Sequence, residues 1–240
     1  MRVLITRAHE DADLLAEVLE RMGIQALVNP LLEIVYLPGP PPDLSTLQGL
    51  LMTSANGVRA FCRRSDDRSL PVYSVGDATA HEAERSGFRT VFSASGDVSG
   101  LADLVRRKGD RIGGDLLHCA GTKVAGDLAG LLGSCGFTYR RERLYDAVKA
   151  RLLNPQTITA FEAGQIDGVL LYSPRTAAIF VDLVCGAKLE PLMSRVCAYC
   201  LSSNVETKIA ALKWKARRVA ATPEQGALLA LLDEDNKPGT

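Results

Sequence analysis

The sequence has no charge surplus of either sign. Its 240 residues carry 28 Lys and Arg against 28 Asp and Glu, so neither nucleic acid nor an anionic membrane finds a basic field, and neither is expected as a partner. No apolar run approaches the roughly 20 residues a membrane span needs. Behind Met1-Arg2 the apolar segment Val3–Thr6 is too short for a signal-peptide core, and a helical pattern follows without a cleavage site. A cytoplasmic location is expected. Six cysteines (Cys62, Cys119, Cys135, Cys185, Cys197, Cys200) then read as reduced, mostly buried thiols. The three histidines, His9, His81 and His118, lack i,i+4 pairing, which argues against zinc. Cys197 and Cys200 have CxxC spacing, but residues three apart on a strand point to opposite faces and share no metal. Nor is there a serine nucleophile elbow, a Walker-type phosphate loop or a G-x-G-x-x-G turn.

Hydrophobic residues make up 47% and charged residues 23%, which suits a soluble globular chain of one large or two small domains. The informative stretch is Leu50–Phe61, Leu-Leu-Met-Thr-Ser-Ala-Asn-Gly-Val-Arg-Ala-Phe. A strand-type run ends at Thr53-Ser54 and turns into a helical pattern. Val169–Phe180, Val-Leu-Leu-Tyr-Ser-Pro-Arg-Thr-Ala-Ala-Ile-Phe, repeats it, with Ser54 answering to Ser173 and Phe61 to Phe180. A helix opening at such a serine turns its first N–H groups outward at the positive end of its dipole, which suits an anion. Two of them suggest two half-sites facing each other.

Strands are expected at 2–6, 24–28, 50–53, 72–75, 90–93, 115–119, 168–171, 196–199 and 218–220. Helices are expected at 11–22, 56–63, 79–86, 99–107, 124–135, 176–184, 205–213 and 225–232. Segments 31–37 and 139–148 read as extended, Asn154-Pro155 as a turn, and Asp233–Thr240 as a frayed tail. Alternation of this kind predicts parallel sheets flanked by helices. Internal similarity extends further. Val72–Thr79 lines up with Val196–Ser203, Thr90–Leu101 loosely with Arg218–Leu228, and Leu15, Leu19 and Gly23 with Leu128, Leu132 and Gly136. The expected architecture is α/β with two similar lobes, each a parallel sheet flanked by helices. Residues 1–33 plus 150–240 form the first lobe and 38–143 the second. The crossings at 31–37 and 143–149 pair as a two-stranded hinge, with the ligand cleft between the lobes.

Several residues stand where chemistry is expected. Ser173-Pro174 has the N-cap and N1 residues of a helix start. Thr222-Pro223-Glu224-Gln225 and Ser203-Asn204-Val205-Glu206 read as capping boxes. Any one of these also serves as a plain cap; as a set at one sheet edge they suggest a site. Tyr145 stands in the second crossing, where a phenol serves either as a packed linker aromatic or as a proton donor to a leaving group. Arg7 ends the first strand at the same edge as Ser173, as an anion contact or a solvated end. The run Arg140-Arg141-Glu142-Arg143 reads as a solvated face.

With these residues in place, the chain resembles the uroporphyrinogen-III synthase family nearly end to end. The matching marks are Val-Leu-Ile-Thr-Arg at 3–7, Thr-Ser-Ala-Asn-Gly-Val at 53–58, Val-Gly-Asp-Ala-Thr-Ala at 75–80, Gly121, Leu144-Tyr145, Tyr172-Ser173-Pro174 and Ala221-Thr222-Pro223. Their order and spacing, rather than any one of them, carry the likeness. The resemblance implies a cofactor-free and metal-free cyclisation of hydroxymethylbilane, a linear tetrapyrrole with acetate and propionate arms. It implies substrate contacts at Thr53, Ser54, Thr79, Ser173, Ser202 and Ser203, joined by Arg7 from the reading above, with Tyr145 assisting departure of the hydroxyl. The chain would act as a monomer, taking substrate in a transient handover from hydroxymethylbilane synthase. Two departures stand out: Cys200-Leu201-Ser202-Ser203 lacks the family's glycine, and Ala125 stands where an arginine is common. Two other readings stay open, a two-lobed non-catalytic binding protein for an anionic ligand and a degenerate homologue.

Overall fold

Short apolar runs alternating with segments of 3.6-residue period build two parallel sheets covered by helices. The computed structural model describes residues 1–94, 96–124 and 126–237. Contacts divide the chain into two units, Met1–Glu33 with Val148–Thr240, and Ile34–Ala147. None of the helices among the described residues is long and apolar enough to cross a membrane.

The chain runs through β1 (Arg2–Ile5), α1 (His9–Arg21), β2 (Gln25–Val28) and β3 (Leu32–Tyr36). It continues through β4 (Leu47–Met52), α2 (Ala55–Cys62), β5 (Val72–Ser74), α3 (Asp77–Arg85), β6 (Val91–Ser93), α4 (Val98–Lys108), β7 (Asp115–Gly121), α5 (Leu128–Ser134) and β8 (Tyr139–Lys149). It closes with α6 (Pro155–Glu162), β9 (Gly168–Leu171), α7 (Pro174–Gly186), β10 (Cys197–Cys200), α8 (Ser203–Lys208), β11 (Ala216–Val219) and α9 (Gln225–Asn236).

In the first unit the strand order is β11-β10-β9-β1-β2; in the second it is β3-β8-β7-β4-β5-β6. Read from the other edge, the second order places β6, β5, β4, β7 and β8 where the first has β11, β10, β9, β1 and β2. The repeat seen in the sequence is therefore a repeat of topology. Its opening unit keeps the expected alignment: Gly23 and Gly136 both follow a helix with left-handed backbone, φ +70° and +82°. The β5/β10 alignment shifts by two residues. Leu51 pairs with Tyr73 and Leu170 with Tyr199, so Tyr73 matches Tyr199, and Gly76 and Ser202 are matching N-caps. Each tyrosine lies on a glycine of the neighbouring strand. A Cβ on Gly49 would come within 2.8 Å of the Tyr73 ring, and one on Gly168 within 2.6 Å of the Tyr199 ring. The glycines make room for the rings.

β3 lies beside β8. Leu37 N–H donates to the Leu144 carbonyl and Ala150 N–H to that of Leu31, so one strand's numbers fall as the other's rise and the pair is antiparallel. Both unit boundaries fall within this pair.

Strands buried on both faces read as continuous apolar runs; β9, Gly-Val-Leu-Leu, is buried throughout. Leu4, Val169, Leu171 and Phe180 pack on one face of the first sheet, and Val3, Ile5, Leu170 and Tyr199 on the other. Cys200 belongs to the first cluster and Cys197 to the second, so the CxxC thiols do point to opposite faces. Phe61 and Phe180, equivalent in the repeat, are both fully buried, each worth about 1.5–3 kcal/mol relative to exposure.

Several expected local features differ. Pro155 opens α6, with Thr157, Ala160 and Phe161 on its buried side, where a turn was expected. α5 starts at Leu128, later than expected, because Gly126 has φ +72° and Asp127 caps the Gly130 N–H. Neither capping box forms. α8 is capped at Ser202, α9 at Glu224, and neither uses a side-chain cap bond; Glu206 instead pairs with Arg217 at 2.9 Å. α8 ends at Lys208, and α9 continues through Asp233 to Asn236 in place of a frayed end. Pro238, Gly239 and Thr240 lie outside the described residues. Of the thiols, Cys119, Cys197 and Cys200 are buried while Cys185 is exposed.

Candidate active site at two serine-capped strand ends

In the second unit β4 delivers Thr53 and Ser54 to the carboxyl edge of the sheet. Ser54 has extended backbone and its hydroxyl accepts from the Asn56 N–H at 3.2 Å, so it is the N-cap of α2. The helix start lies hard against β7. A Cβ on Gly57 would stand 2.5 Å from the Cys119 carbonyl oxygen, so only glycine fits there. Thr53 Oγ1 lies 2.9 Å from His118 Nε2, and His118 Nδ1 lies 2.7 Å from the Tyr139 hydroxyl. Burial, with Arg141 nearby, brings the His118 imidazole down to about 4, so it is neutral near pH 7. Arg141 in turn donates to the Gly121 and Thr122 carbonyls at 2.6 and 2.8 Å.

Tyr145 sits on β8 in register with Gly121, buried at 8% exposure. Its neighbours in the core include Met52, Val58 and Leu144. Thr79 is buried in the first turn of α3. Ala125 lies outside the described residues.

In the first unit β9 delivers Tyr172 and Ser173 to the carboxyl edge of its own sheet. The Ser173 hydroxyl accepts from the Thr176 N–H at 3.1 Å, and Pro174 takes N1. Arg7, following β1, pairs with Asp11 at 2.8 Å, donates to Gln225 Oε1 at 3.1 Å, and lies over the Tyr172 ring at 4.6 Å. The Tyr172 hydroxyl is buried without a hydrogen-bond partner among the described residues. Burial pushes that phenol up to about 12, with Arg7 acting in the opposite sense. Ser202 is half-buried at the start of α8 and Ser203 is exposed. Cys200, one of the departures, is fully buried at the end of β10.

The structure thus brings Thr53 and Ser54 together near Gly121 and Tyr145 by way of β7, and Arg7 near Ser173 by way of Tyr172. Sequence reasoning missed His118, Tyr139 and Tyr172. Sequence spacing tests His118 only as a metal ligand; among the described residues no group of three or more His, Cys, Asp or Glu side chains is placed to hold a metal ion. A cavity of about 490 Å³ opens elsewhere, at the amino-terminal strand ends of the first unit, lined by Met1, Asp167, Lys215, Arg218 and Asp235.

A family model described as "Uroporphyrinogen-III synthase HemD" matches residues 13–230. The chain belongs to the uroporphyrinogen-III synthase family. A curated uroporphyrinogen-III synthase of Chlorobaculum parvum is 25% identical over 201 residues, covering 78% of this chain and 81% of that protein. The fold is similar to that of uroporphyrinogen-III synthetase from Helicobacter pylori 26695, with TM-score 0.62 and 15% identity over 98% of this chain and 100% of that one. It is also similar to a mutant uroporphyrinogen III synthase from Thermus thermophilus, with TM-score 0.55 and 15% identity over 98% of each chain. Membership fits the two-lobed α/β fold of this family.

Proposed function

We propose that the chain closes hydroxymethylbilane to uroporphyrinogen III, losing water and inverting the last pyrrole ring, in haem biosynthesis. The family match over residues 13–230 carries this reading. The substrate's acetate and propionate arms are held by hydroxyls and by helix starts, where backbone N–H groups and the dipole favour carboxylate. In the second unit Thr53 and Ser54 are such contacts; in the first unit Ser173, Arg7, Ser202 and Ser203 are. Thr79, in the first turn of α3, is a further substrate contact.

Tyr145 donates a proton to the terminal hydroxyl as its C–O bond breaks, so that water leaves. The ring nitrogen's electron pair follows, giving an electrophilic azafulvene. The substituted α-carbon of the last ring attacks the azafulvene methylene to give a spiro intermediate. The older bond from that carbon to its bridging methylene then breaks, and the freed methylene bonds the ring's other α-carbon, which loses its proton. The ring is thus inverted as the macrocycle closes. Catalysis consists mainly of holding one productive conformation against spontaneous closure to isomer I. No cofactor or metal is required. The protein works as a monomer in the cytoplasm and takes its unstable substrate by transient handover from hydroxymethylbilane synthase.

The test is consumption of freshly generated hydroxymethylbilane by desalted, chelator-treated protein. Loss of bilane faster than its spontaneous closure, with isomer III as product, supports the reading. Tight binding without conversion is the outcome expected of a non-catalytic binding protein.

A further inference from the structure

The two units share one topology, so their equivalent positions show which residues the fold itself requires. Matching the strand registers places Thr53, His118 and Tyr139 of the second unit on Tyr172, Ile5 and Ala26 of the first. Ile5 is fully buried and packs with Val3, Leu170 and Tyr199. The same site in the second unit holds an imidazole at 2% exposure. A buried polar group costs free energy unless it is fully hydrogen-bonded, and the sister unit does without one. His118 therefore serves something other than packing.

Its two contacts say what. His118 Nε2 meets Thr53 Oγ1 at 2.9 Å, and Nδ1 meets the Tyr139 hydroxyl at 2.7 Å. The three side chains lie on one sheet face, across β4, β7 and β8. A neutral imidazole has one N–H donor and one acceptor nitrogen. A phenol is a stronger acid than an aliphatic alcohol, so the acceptor nitrogen takes the Tyr139 O–H and the ring proton resides on Nε2. That proton then occupies a lone pair of Thr53, whose own O–H stays free to donate. The opposite tautomer consumes the Thr53 proton and presents bare lone pairs, which repel a carboxylate.

We propose that His118 is a positioning residue which, held by Tyr139, fixes Thr53 as a hydrogen-bond donor to a carboxylate arm of the substrate. The assignment rests on Thr53 facing substrate, as argued above. Tyr139 and His118 act through Thr53 and touch no reacting atom. One of the carboxylate contacts is thereby tuned by residues 65 and 86 positions further along the sequence.

The experiment has two parts. ¹⁵N chemical shifts of His118 in the unliganded protein at pH 7 report its tautomer and need no substrate. An Nε2-protonated neutral ring is expected, and an Nδ1-protonated or charged ring overturns the proposal whatever the protein's activity. Kinetics then use variants on two backgrounds, in protein shown to convert hydroxymethylbilane to isomer III. Tyr139→Phe and His118→Leu are each expected to raise KM about tenfold with kcat little changed, the loss of one charge-assisted hydrogen bond. His118→Gln, whose amide can donate to Thr53, restores most of the loss. In a Thr53→Ala background Tyr139→Phe has no further effect. If Tyr139→Phe lowers activity equally with and without Thr53, its role is structural and the proposal fails.

Discussion

Gly121 at the end of β7 and Tyr145 on β8 are register partners, and the phenol ring lies over the glycine. A Cβ at Gly121 would stand 2.9 and 3.0 Å from two ring carbons and 3.3 Å from the hydroxyl oxygen. The glycine therefore sets where the phenol sits. Gly121→Ala is expected to move the ring and lower kcat for isomer III about tenfold or more, since small misplacements of a reacting group are costly. Its melting temperature should fall only slightly. A variant with unchanged kcat would separate the ring's position from the chemistry.

Tyr145→Phe keeps the ring and removes the proton. It should lower turnover more than Thr53→Ala or Ser173→Ala alone, because each of those removes one contact among many. Steady-state rates for the three variants decide this, and an equal or smaller loss for Tyr145→Phe speaks against proton donation.

Gly57 answers to packing. A methyl there meets the Cys119 carbonyl at 2.5 Å, and backbone cannot swing aside. Gly57→Ala should destabilise by about 2–3 kcal/mol, as overpacking does, despite alanine's better helix propensity. A methyl added at Gly133 on α5 has no atom within 4 Å, so Gly133→Ala should gain up to about 1 kcal/mol. Urea unfolding of both variants checks the contrast in sign.

His118 makes stability depend on pH. Its folded value, about 4, lies below the unfolded value of 6.5, so on acidification the unfolded chain takes up the proton first. Stability is full above pH 6.5 and declines as pH falls towards 4, by on the order of 3 kcal/mol. Arg141 is the charged neighbour that adds to burial in this shift; Thr53 and Tyr139 are its hydrogen-bonding partners. The urea midpoint of His118→Gln should lack this acid slope. Parallel curves for the variant and the wild type would refute the assignment.

Ser54 and Ser173 each satisfy one helix N–H. Replacing either with alanine should cost about 1 kcal/mol. The double variant should show the sum, because the two share no partner. Departure from additivity in denaturant titrations would show coupling between the caps.

Periodicity made most of the fold legible. The Ser54/Ser173 repeat predicted matching helix starts, and the alignment of Gly23 with Gly136 predicted which strands correspond. The β5/β10 alignment shifted because local similarity sets Val72 on Val196, whereas strand pairing, invisible in the sequence, sets Tyr73 on Tyr199. α6 was missed because Asn154-Pro155 suits a turn and a helix start equally, and Thr157, Ala160 and Phe161 show their common face only when folded. The Thr53–His118–Tyr139 chain was illegible for a different reason. It depends on strand order, which places β7 between β4 and β8, and nothing local to any of the three residues signals it.

The most direct measurement is isomer analysis of the product formed when purified protein, without added cofactor, meets freshly generated hydroxymethylbilane. The account predicts isomer III in place of the isomer I that forms spontaneously, at a rate proportional to protein. Isomer I alone, at the rate seen without protein, would contradict it.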